Sequence, residues 1–301
     1  MSAATLAKKI GWIGTGVMGK SMARHLINQG YKLSVFNRTK SKTDELIDLG
    51  AEYKQPLEIA ETSDILFLML GYPQDLKNVL YEQGVIEAMK PGSVLVDHTT
   101  SMPELAVEIF EKCAERGIKS IDAPVSGGDL GAKNGQLVVM SGGEDQAFQE
   151  VLPILDVYSK SAMLMGPAGA GQNTKMVNQI NIAGCMIGVC EGLVYGYKAG
   201  LDLKQVVELI GGGAAGSFSL NFYSPRIFER DMEPGFYAEH FLKDLEIALA
   251  ECEVMGIQLP GLELARNLYK LLVEEMGSGR QGTQALIRVL EKMNEIEVEV
   301  N

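Results

Sequence analysis

The clearest chemical signal in the sequence is a glycine-rich turn near the N-terminus. The turn follows an apolar run, Ile10–Ile13, and reads Gly14-Thr15-Gly16-Val17-Met18-Gly19, which fits the pattern GxGxxG. Glycines permit a tight turn and close backbone approach to a pyrophosphate, and a helix that begins there offers free N–H groups to the phosphates. Because the turn lies between a predicted strand and a predicted helix, it indicates a dinucleotide site. A plain structural turn is the alternative.

A basic segment follows the second apolar run, where an NAD site usually carries an acidic residue. Here Leu33–Phe36 is followed by Asn37-Arg38-Thr39. A neutral Asn does not repel a 2′-phosphate, Arg38 can bind that phosphate through two hydrogen bonds, and Thr39 can add a hydroxyl donor. The segment predicts a preference for NADP(H), with NAD(H) also possible. The alternative is a solvated basic loop.

A second glycine-rich segment has a composition suited to an anion. Ser126-Gly127-Gly128 follows a predicted strand and offers one hydroxyl and successive unhindered N–H groups. Such a concavity suits a carboxylate. Taken alone, the segment fits a structural turn of the sheet better.

One lysine has the surroundings expected of a proton donor. Lys175 has Asn178 and Gln179 three and four residues further on, which places them on the same face of a predicted helix. Hydride transfer at a carbinol carbon needs a group that gives and takes a proton at the oxygen, and a partly buried Lys can do so. The carboxamides can hold the substrate hydroxyl. Taken alone, such a Lys is more often an ordinary solvated residue.

Alternating strands and helices must position these groups. Short apolar runs predict strands, and helical spacing between them predicts helices, so the first half consists of βαβ units. From Gly166 to the C-terminus only helical patterns follow. We predict an α/β protein with a Rossmann-type doubly wound parallel sheet in residues 1–166, which binds NADP, and an all-helical domain in residues 167–301, for substrate binding and oligomerisation.

Composition narrows the class of protein. The 301 residues carry 27 Lys plus Arg and 39 Asp plus Glu, a net charge of −12 that disfavours binding to nucleic acid or an anionic membrane. The four cysteines are scattered, and the three histidines have no metal-binding spacing, so no metal site is predicted. Sparse thiols and no signal-peptide pattern predict a cytoplasmic protein. The apolar stretch Met176–Cys190 is predicted to be a buried helix, because it falls short of the ~20 residues of a membrane span.

Four motifs in order resemble the β-hydroxyacid dehydrogenase family, over nearly the whole chain from Ile10 to about Lys292. The motifs are Gly14–Gly19, Asp97–Ser101, Pro124–Gly128 and Gly171–Gln179. That family includes 3-hydroxyisobutyrate dehydrogenase, tartronate semialdehyde reductase and glyoxylate/succinic semialdehyde reductase.

The resemblance implies roles for individual residues. Lys175 corresponds to the catalytic acid and base, and Asn178-Gln179 is closer to tartronate semialdehyde reductases than to 3-hydroxyisobutyrate dehydrogenases. The implied substrate-binding residues are Thr100, Ser126, Gly127, Gly128, Asn178, Gln179, Phe236 and Asp244. Beyond the glycine-rich turn and Asn37–Thr39, the implied cofactor-binding residues are Leu70, Gly71, Pro73, Thr100 and Lys243.

The implied function is an NADP-dependent oxidoreductase that interconverts a small β-hydroxy acid and its semialdehyde, as a homodimer or homotetramer. One departure is Gly282-Thr283-Gln284-Ala285, where the family often has an Asp followed by Ser-Ala. Asn178 disfavours a 6-phosphogluconate dehydrogenase, and Lys175 disfavours an imine reductase. From a different class, the alternative is a catalytically silent NADP-binding module that acts through protein partners.

Overall fold

The structure is a computed structural model that describes residues 7–299. It falls into two compact units that divide after Lys175. The boundary predicted at residue 166 coincides with the end of the last strand, whereas the units divide slightly later, inside the helix that follows.

The first unit is built on a nine-stranded sheet with the order β3-β2-β1-β4-β5-β6-β8-β7, in which β9 also pairs with β8. The strands are β1 Lys9–Ile13, β2 Lys32–Phe36, β3 Glu52–Tyr53, β4 Ile65–Leu68, β5 Val94–Asp97, β6 Lys119–Asp122, β7 Val125–Ser126, β8 Leu137–Gly143 and β9 Ser159–Gly166.

The strands from β3 to β6 pair in parallel, while β8 runs antiparallel to β6 and β7. The order β3-β2-β1-β4-β5-β6 is that of a doubly wound nucleotide-binding sheet, in which ligands bind beyond the carboxyl ends of the strands where the order reverses. In this chain β1 and β4 flank that point. The predicted fold class is confirmed.

Helices cover both faces of the sheet. They are α1 Val17–Asn28, α2 Asp44–Asp48, α3 Pro56–Thr62, α4 Pro73–Lys77, α5 Val85–Ala88, α6 Pro103–Glu115, α7 Gly128–Lys133 and α8 Asp145–Leu155. Successive strand residues pack into opposite cores: Ile65 and Phe67 join one core, and Leu66 and Leu68 join the other. Strands buried on both faces explain the continuous apolar runs in the sequence.

A 29-residue helix, α9 Ala170–Lys198, begins in the first unit and continues into the second. The later helices are α10 Leu203–Gly211, α11 Ser224–Phe228, α12 Ala238–Met255, α13 Pro260–Lys270 and α14 Ile287–Asn294. Short π-helical turns cover Ser219–Tyr223 and Leu271–Glu275, and a 3₁₀ turn covers Thr283–Leu286.

Helix α9 is long and apolar enough to cross a membrane by length and composition, a test that core helices of soluble proteins also pass. Only 39% of the most apolar 18-residue stretch of this helix is buried inside the protein. Met186 and Cys190 are buried, but Val177 is 60% exposed and Tyr195 is 76% exposed. The predicted buried helix is therefore buried along one face, and the opposite face is exposed.

His98, to which we assigned no role, lies in the core immediately after β5. Its ring is fully buried and stacks on Phe67 at 5.7 Å between centroids. Nδ1 lies 2.6 Å from the Ala123 carbonyl oxygen, and Nε2 lies 2.8 Å from the Tyr158 hydroxyl. Since a carbonyl can only accept, Nδ1 carries the proton and Nε2 accepts from Tyr158. Burial lowers the pKa of His98 from 6.5 to about 4.

This burial predicts a pH-dependent stability. Below pH 6.5 the unfolded chain binds a proton that folded His98 does not take up until about pH 4, so the free energy of unfolding should fall as pH falls across that interval. The full loss is about 3 kcal/mol, at 1.36 kcal/mol per pH unit. In His98→Phe this contribution should vanish. Denaturant titrations from pH 7 to pH 4 measure it, with His25→Gln as the control; parallel curves for wild type and His98→Phe would contradict the prediction.

Candidate active site

The glycine-rich turn lies between β1 and α1, at the point where the strand order reverses. Gly14 has a φ of +100°, and a Cβ there would collide with the Met69 carbonyl oxygen of the neighbouring chain segment. A Cβ at Gly19 would collide with the Gly14 carbonyl oxygen. These two glycines are therefore required by the turn and by the packing of helix against strand.

Gly16 differs from them, because a Cβ there would meet no atom within 4 Å. The protein's own packing does not require a glycine at this position, whereas a pyrophosphate that approaches the backbone closely would. The N-terminus of α1 has no side-chain cap and no acidic residue in its first turn, so its N–H groups point to a site without competing negative charge. The residues present fit a dinucleotide cofactor.

The Thr15 side chain is buried and donates to the Lys42 carbonyl oxygen at 3.2 Å. Asn37 accepts from the Thr15 N–H at 3.0 Å and donates to the Thr39 carbonyl oxygen at 3.0 Å. Asn37 thereby joins the end of β2 to the glycine-rich turn. Arg38 is 88% exposed and pairs with Asp75 at 3.3 Å, a partner that the sequence analysis did not find.

The Asp97–Ser101 segment follows β5 and contacts the loop after β4. Asp97 accepts from the Thr99 N–H at 2.9 Å, and the Thr99 hydroxyl accepts from the Leu70 N–H at 3.0 Å. Leu70, Gly71, Pro73 and Thr100 are all partly exposed beside these anchors. The carboxyl ends of β1, β2, β4 and β5 therefore carry the predicted cofactor residues of this unit.

Lys175 lies in the first turns of α9 and is only 6% exposed. Its ammonium donates to the Val125 carbonyl oxygen at 2.9 Å. Val125 directly precedes Ser126-Gly127-Gly128, and Gly127 and Gly128 both have positive φ, at 132° and 62°. The first unit thus brings the predicted proton donor to the predicted carboxylate-binding segment.

Two buried polar residues beside Lys175 were missed as site residues, Asp122 and Gln172. Asp122 accepts from the backbone at the start of α9, and the Gln172 side chain bonds to the backbone of Thr99 and Ser101. Burial raises the pKa of Asp122, and hydrogen bonds from Gly169 and Gln172 oppose that shift. Asp122 lies two residues before the Pro124–Gly128 motif, but no sequence spacing signals its contact with α9.

The second unit carries the remaining predicted residues. Gln179 donates to the buried Asp244 carboxylate at 2.7 Å and accepts from Asn178 at 2.7 Å. The Lys243 ammonium lies 3.0 Å from the other Asp244 oxygen. Gln179 therefore joins Asn178 to Asp244 within this unit, and its contact with a substrate stays a prediction.

Phe236 is partly exposed and packs edge-on against His240 and Phe241. The loop before it is held by Gln284, which donates to the carbonyl oxygens of Asp231 and Glu233, each at 3.0 Å. A Cβ at Gly282 would collide with the Gln284 amide. The departure noted at Gly282–Ala285 therefore has a structural counterpart: Gln284 takes the space that a side chain at 282 would need.

Among residues 7–299 no group of three or more His, Cys, Asp or Glu side chains could hold a metal ion. A doubly wound sheet, an uncapped helix N-terminus after the glycine-rich turn and a buried lysine beside Ser126-Gly127-Gly128 are the features expected of a nicotinamide-dependent oxidoreductase.

Comparisons with known proteins give the family. A model described as the NAD binding domain of 6-phosphogluconate dehydrogenase matches residues 9–166. A model described as the NAD-binding of NADP-dependent 3-hydroxyisobutyrate dehydrogenase matches residues 169–290. The chain belongs to the β-hydroxyacid dehydrogenase family.

Individual relatives agree. The chain is 50% identical over 294 residues to the Arabidopsis thaliana protein named probable 3-hydroxyisobutyrate dehydrogenase-like 1, mitochondrial, covering 97% of this chain and 87% of that protein. It is 34% identical over 287 residues to 2-hydroxy-3-oxopropionate reductase of Escherichia coli, covering 95% and 98%. The fold is shared with the Mycobacterium tuberculosis 3-hydroxyisobutyrate dehydrogenase solved with L-serine: the TM-score is 0.86 at 24% identity, covering 94% of this chain and 99% of that one.

Proposed function

We propose that this protein is an NADP-dependent oxidoreductase that interconverts a small β-hydroxy acid and its semialdehyde. The observation that carries the proposal is the placement of the Lys175 ammonium, 2.9 Å from the Val125 carbonyl oxygen and therefore beside Ser126-Gly127-Gly128. A molecule with a carboxylate at one end and a carbonyl a carbon or two away matches this pairing of an anion-binding segment with a proton donor.

In the reductive direction the Ser126 hydroxyl and the N–H groups of Gly127 and Gly128 bind the substrate carboxylate and so orient the carbonyl. When bound, the reduced nicotinamide supplies a hydride to the carbonyl carbon. Lys175 donates a proton to the carbonyl oxygen, and the product is the hydroxy acid. In the oxidative direction the neutral Lys175 amine takes the hydroxyl proton. Asn178, supported by Gln179, offers a carboxamide to the substrate oxygen.

A substrate panel tests the proposal. Purified protein is mixed with NADPH and, separately, with glyoxylate, succinic semialdehyde or tartronate semialdehyde, and in the reverse direction with NADP⁺ and 3-hydroxyisobutyrate. We expect a change in absorbance at the nicotinamide band with at least one compound, at a rate that is about 10²–10⁴-fold lower in Lys175→Ala. NADPH binding without turnover of any compound would instead support a silent module that acts through protein partners. The panel is also needed to identify the substrate. A hydrophobic pocket discriminates between substrates that differ by one methylene by only ~1–3 kcal/mol, so the sequence does not name the substrate.

The role of Ser126 predicts a selective effect on substrate binding. Ser126→Ala should raise KM for acid substrates by about 10-fold or more, because a hydrogen bond to a charged group is worth ~1.5–3 kcal/mol. The Kd for NADPH and the melting temperature should stay near wild type. Ser63→Ala removes an equivalent hydroxyl, bonded to the Ile59 carbonyl oxygen on α3, and is the matched control. An unchanged KM with a collapsed melting temperature would make Ser126 a structural residue.

We also propose a cytoplasmic homodimer or homotetramer that binds neither nucleic acid nor membrane. Four free cysteines, three of them buried, support a reducing compartment, and the net charge of −12 disfavours polyanions. Large apolar side chains are exposed in the second unit, with Leu209 at 80% and Phe218 at 64%. Light scattering on the purified chain should give a dimer or tetramer; a monomer at micromolar concentration would contradict the assembly.

A further inference from the structure

The start of helix α9 is fixed by a carboxylate from another element. Asp122, the last residue of β6, is only 5% exposed. Its Oδ1 accepts from the Gly169 N–H at 2.8 Å, and its Oδ2 accepts from the Gln172 N–H at 2.9 Å. Both donors belong to the first turn of α9 or to the residue just before it, so one side chain satisfies two backbone groups that a helix N-terminus leaves unpaired.

The surroundings of Asp122 leave it little freedom. A Cβ at Gly142 would lie 2.6 Å from its Oδ1, and a Cβ at Gly171 would lie 2.7 Å from its Oδ2. The two glycines let β8 and α9 close on the carboxylate. Within residues 7–299 no Lys, Arg or His forms an ion pair with it, so its charge is balanced by peptide N–H groups and the positive end of α9.

Gln172 fixes the same helical turn to a second segment. Its side chain is fully buried, accepts from the Ser101 N–H at 3.0 Å and donates to the Thr99 carbonyl oxygen at 2.8 Å. Thr99 in turn holds Leu70 in the loop after β4. The turn that contains Gln172 is therefore attached to β6 through Asp122 and to the segment after β5 through its own side chain.

We propose that Asp122 and Gln172 are positioning residues for Lys175, which follows Gln172 by less than one helical turn. The proposal rests on the proposed role of Lys175 as the proton donor. Asp122 and Gln172 act through the backbone of α9. They fix the position and rotation of the backbone from which the Lys175 side chain reaches the Val125 carbonyl oxygen.

Positioning of this kind should affect the chemical step more than binding. A displacement of about 1 Å at a reacting group can cost roughly 100-fold in rate. Asp122→Asn replaces one of the two accepting oxygens by an NH₂ group, so it can accept from only one of the two N–H groups. Gln172→Leu keeps a side chain of similar size but loses both side-chain hydrogen bonds. We expect each change to lower kcat by about 10- to 100-fold, with KM for the acid substrate and the Kd for NADPH within about threefold of wild type.

The experiment is a double-mutant cycle with a stability control. Asp122→Asn and Gln172→Leu are each made in the wild type and in Lys175→Ala, and Ile154→Val, a buried change on α8, is the control for destabilisation alone. We expect each single variant to lower kcat beyond the control, to lose almost nothing further in the Lys175→Ala background, and to speed amide exchange at Gly169 and Gln172. Equal fractional losses in both backgrounds, or a loss no larger than in Ile154→Val, would overturn the proposal. Wild-type activity in Lys175→Ala alone would instead overturn the role of Lys175, so the two failures are distinguishable.

Discussion

Replacement of Lys175 by Ala should lower kcat by about 10²–10⁴-fold, the usual contribution of general acid catalysis. The side chain is 6% exposed and its ammonium is held beside the Ser126–Gly128 segment. A water molecule that entered in its place would not be held in the same position for proton transfer. The Kd for NADPH should change little, because the predicted cofactor-binding segments follow β1 and β2, whereas Lys175 lies on α9. Steady-state kinetics together with fluorescence titration of NADPH separate the two effects.

Two further variants sharpen this test. Lys175→Arg should fail almost as badly, since a guanidinium stays protonated and cannot act as acid and base in turn. Lys112→Ala, which removes an exposed lysine on α6, should leave kcat unchanged. If Lys175→Ala folds, binds NADPH and retains more than about a tenth of wild-type kcat, another group or water donates the proton.

The second large effect concerns cofactor choice. NADPH should be preferred over NADH by roughly 10- to 150-fold in kcat/KM, because a charge-assisted contact from Arg38 to the 2′-phosphate is worth ~1.5–3 kcal/mol. Arg38→Ala should lose most of that preference and keep its activity with NADH. The same measurement on Arg116→Ala, an arginine that bonds to the Glu87 carbonyl oxygen, is the control.

Asp75 makes this prediction more specific. It pairs with Arg38, but an exposed ion pair contributes only about 0–1 kcal/mol, less than the expected phosphate contact. Asp75→Asn should therefore increase the preference for NADPH, because one negative charge near the phosphate is removed. Equal kcat/KM with both cofactors in the wild type would show that the Asn37–Thr39 segment is a solvated basic loop.

Sequence patterning sufficed for the central sheet and failed at its margins. Continuous apolar runs identified the strands that are buried on both faces, such as β4 and β5. Sequence patterning missed β3 and β7, which have two residues each. It also missed β9, because most residues of this edge strand are exposed or only partly buried. The helical spacing after β4 did not show that the helix there is interrupted before α5, where Gly84 adopts a φ of +73°.

The site was predictable where a local motif carries the chemistry. The glycine-rich turn is recognised from its spacing and its place between a strand and a helix, whereas Lys175 is singled out only by the resemblance of the ordered motifs to the family. Asp122, Gln172 and Asp75 act through contacts made by residues far away in the sequence, so no local pattern reports them. His98 shows the same limit, because an isolated histidine beside apolar residues does not reveal whether its ring is buried or which carbonyl it meets.

The most direct test of the account is the transfer of deuterium from the cofactor to the substrate. The protein is incubated with [4,4-²H₂]NADPH and the aldehyde acid on which the panel shows activity, and the product is analysed by mass spectrometry and NMR. We predict one deuterium on the carbinol carbon and none elsewhere. Product without deuterium at that carbon, or no product while NADPH is bound, would contradict hydride transfer between the nicotinamide and a semialdehyde as the reaction of this protein.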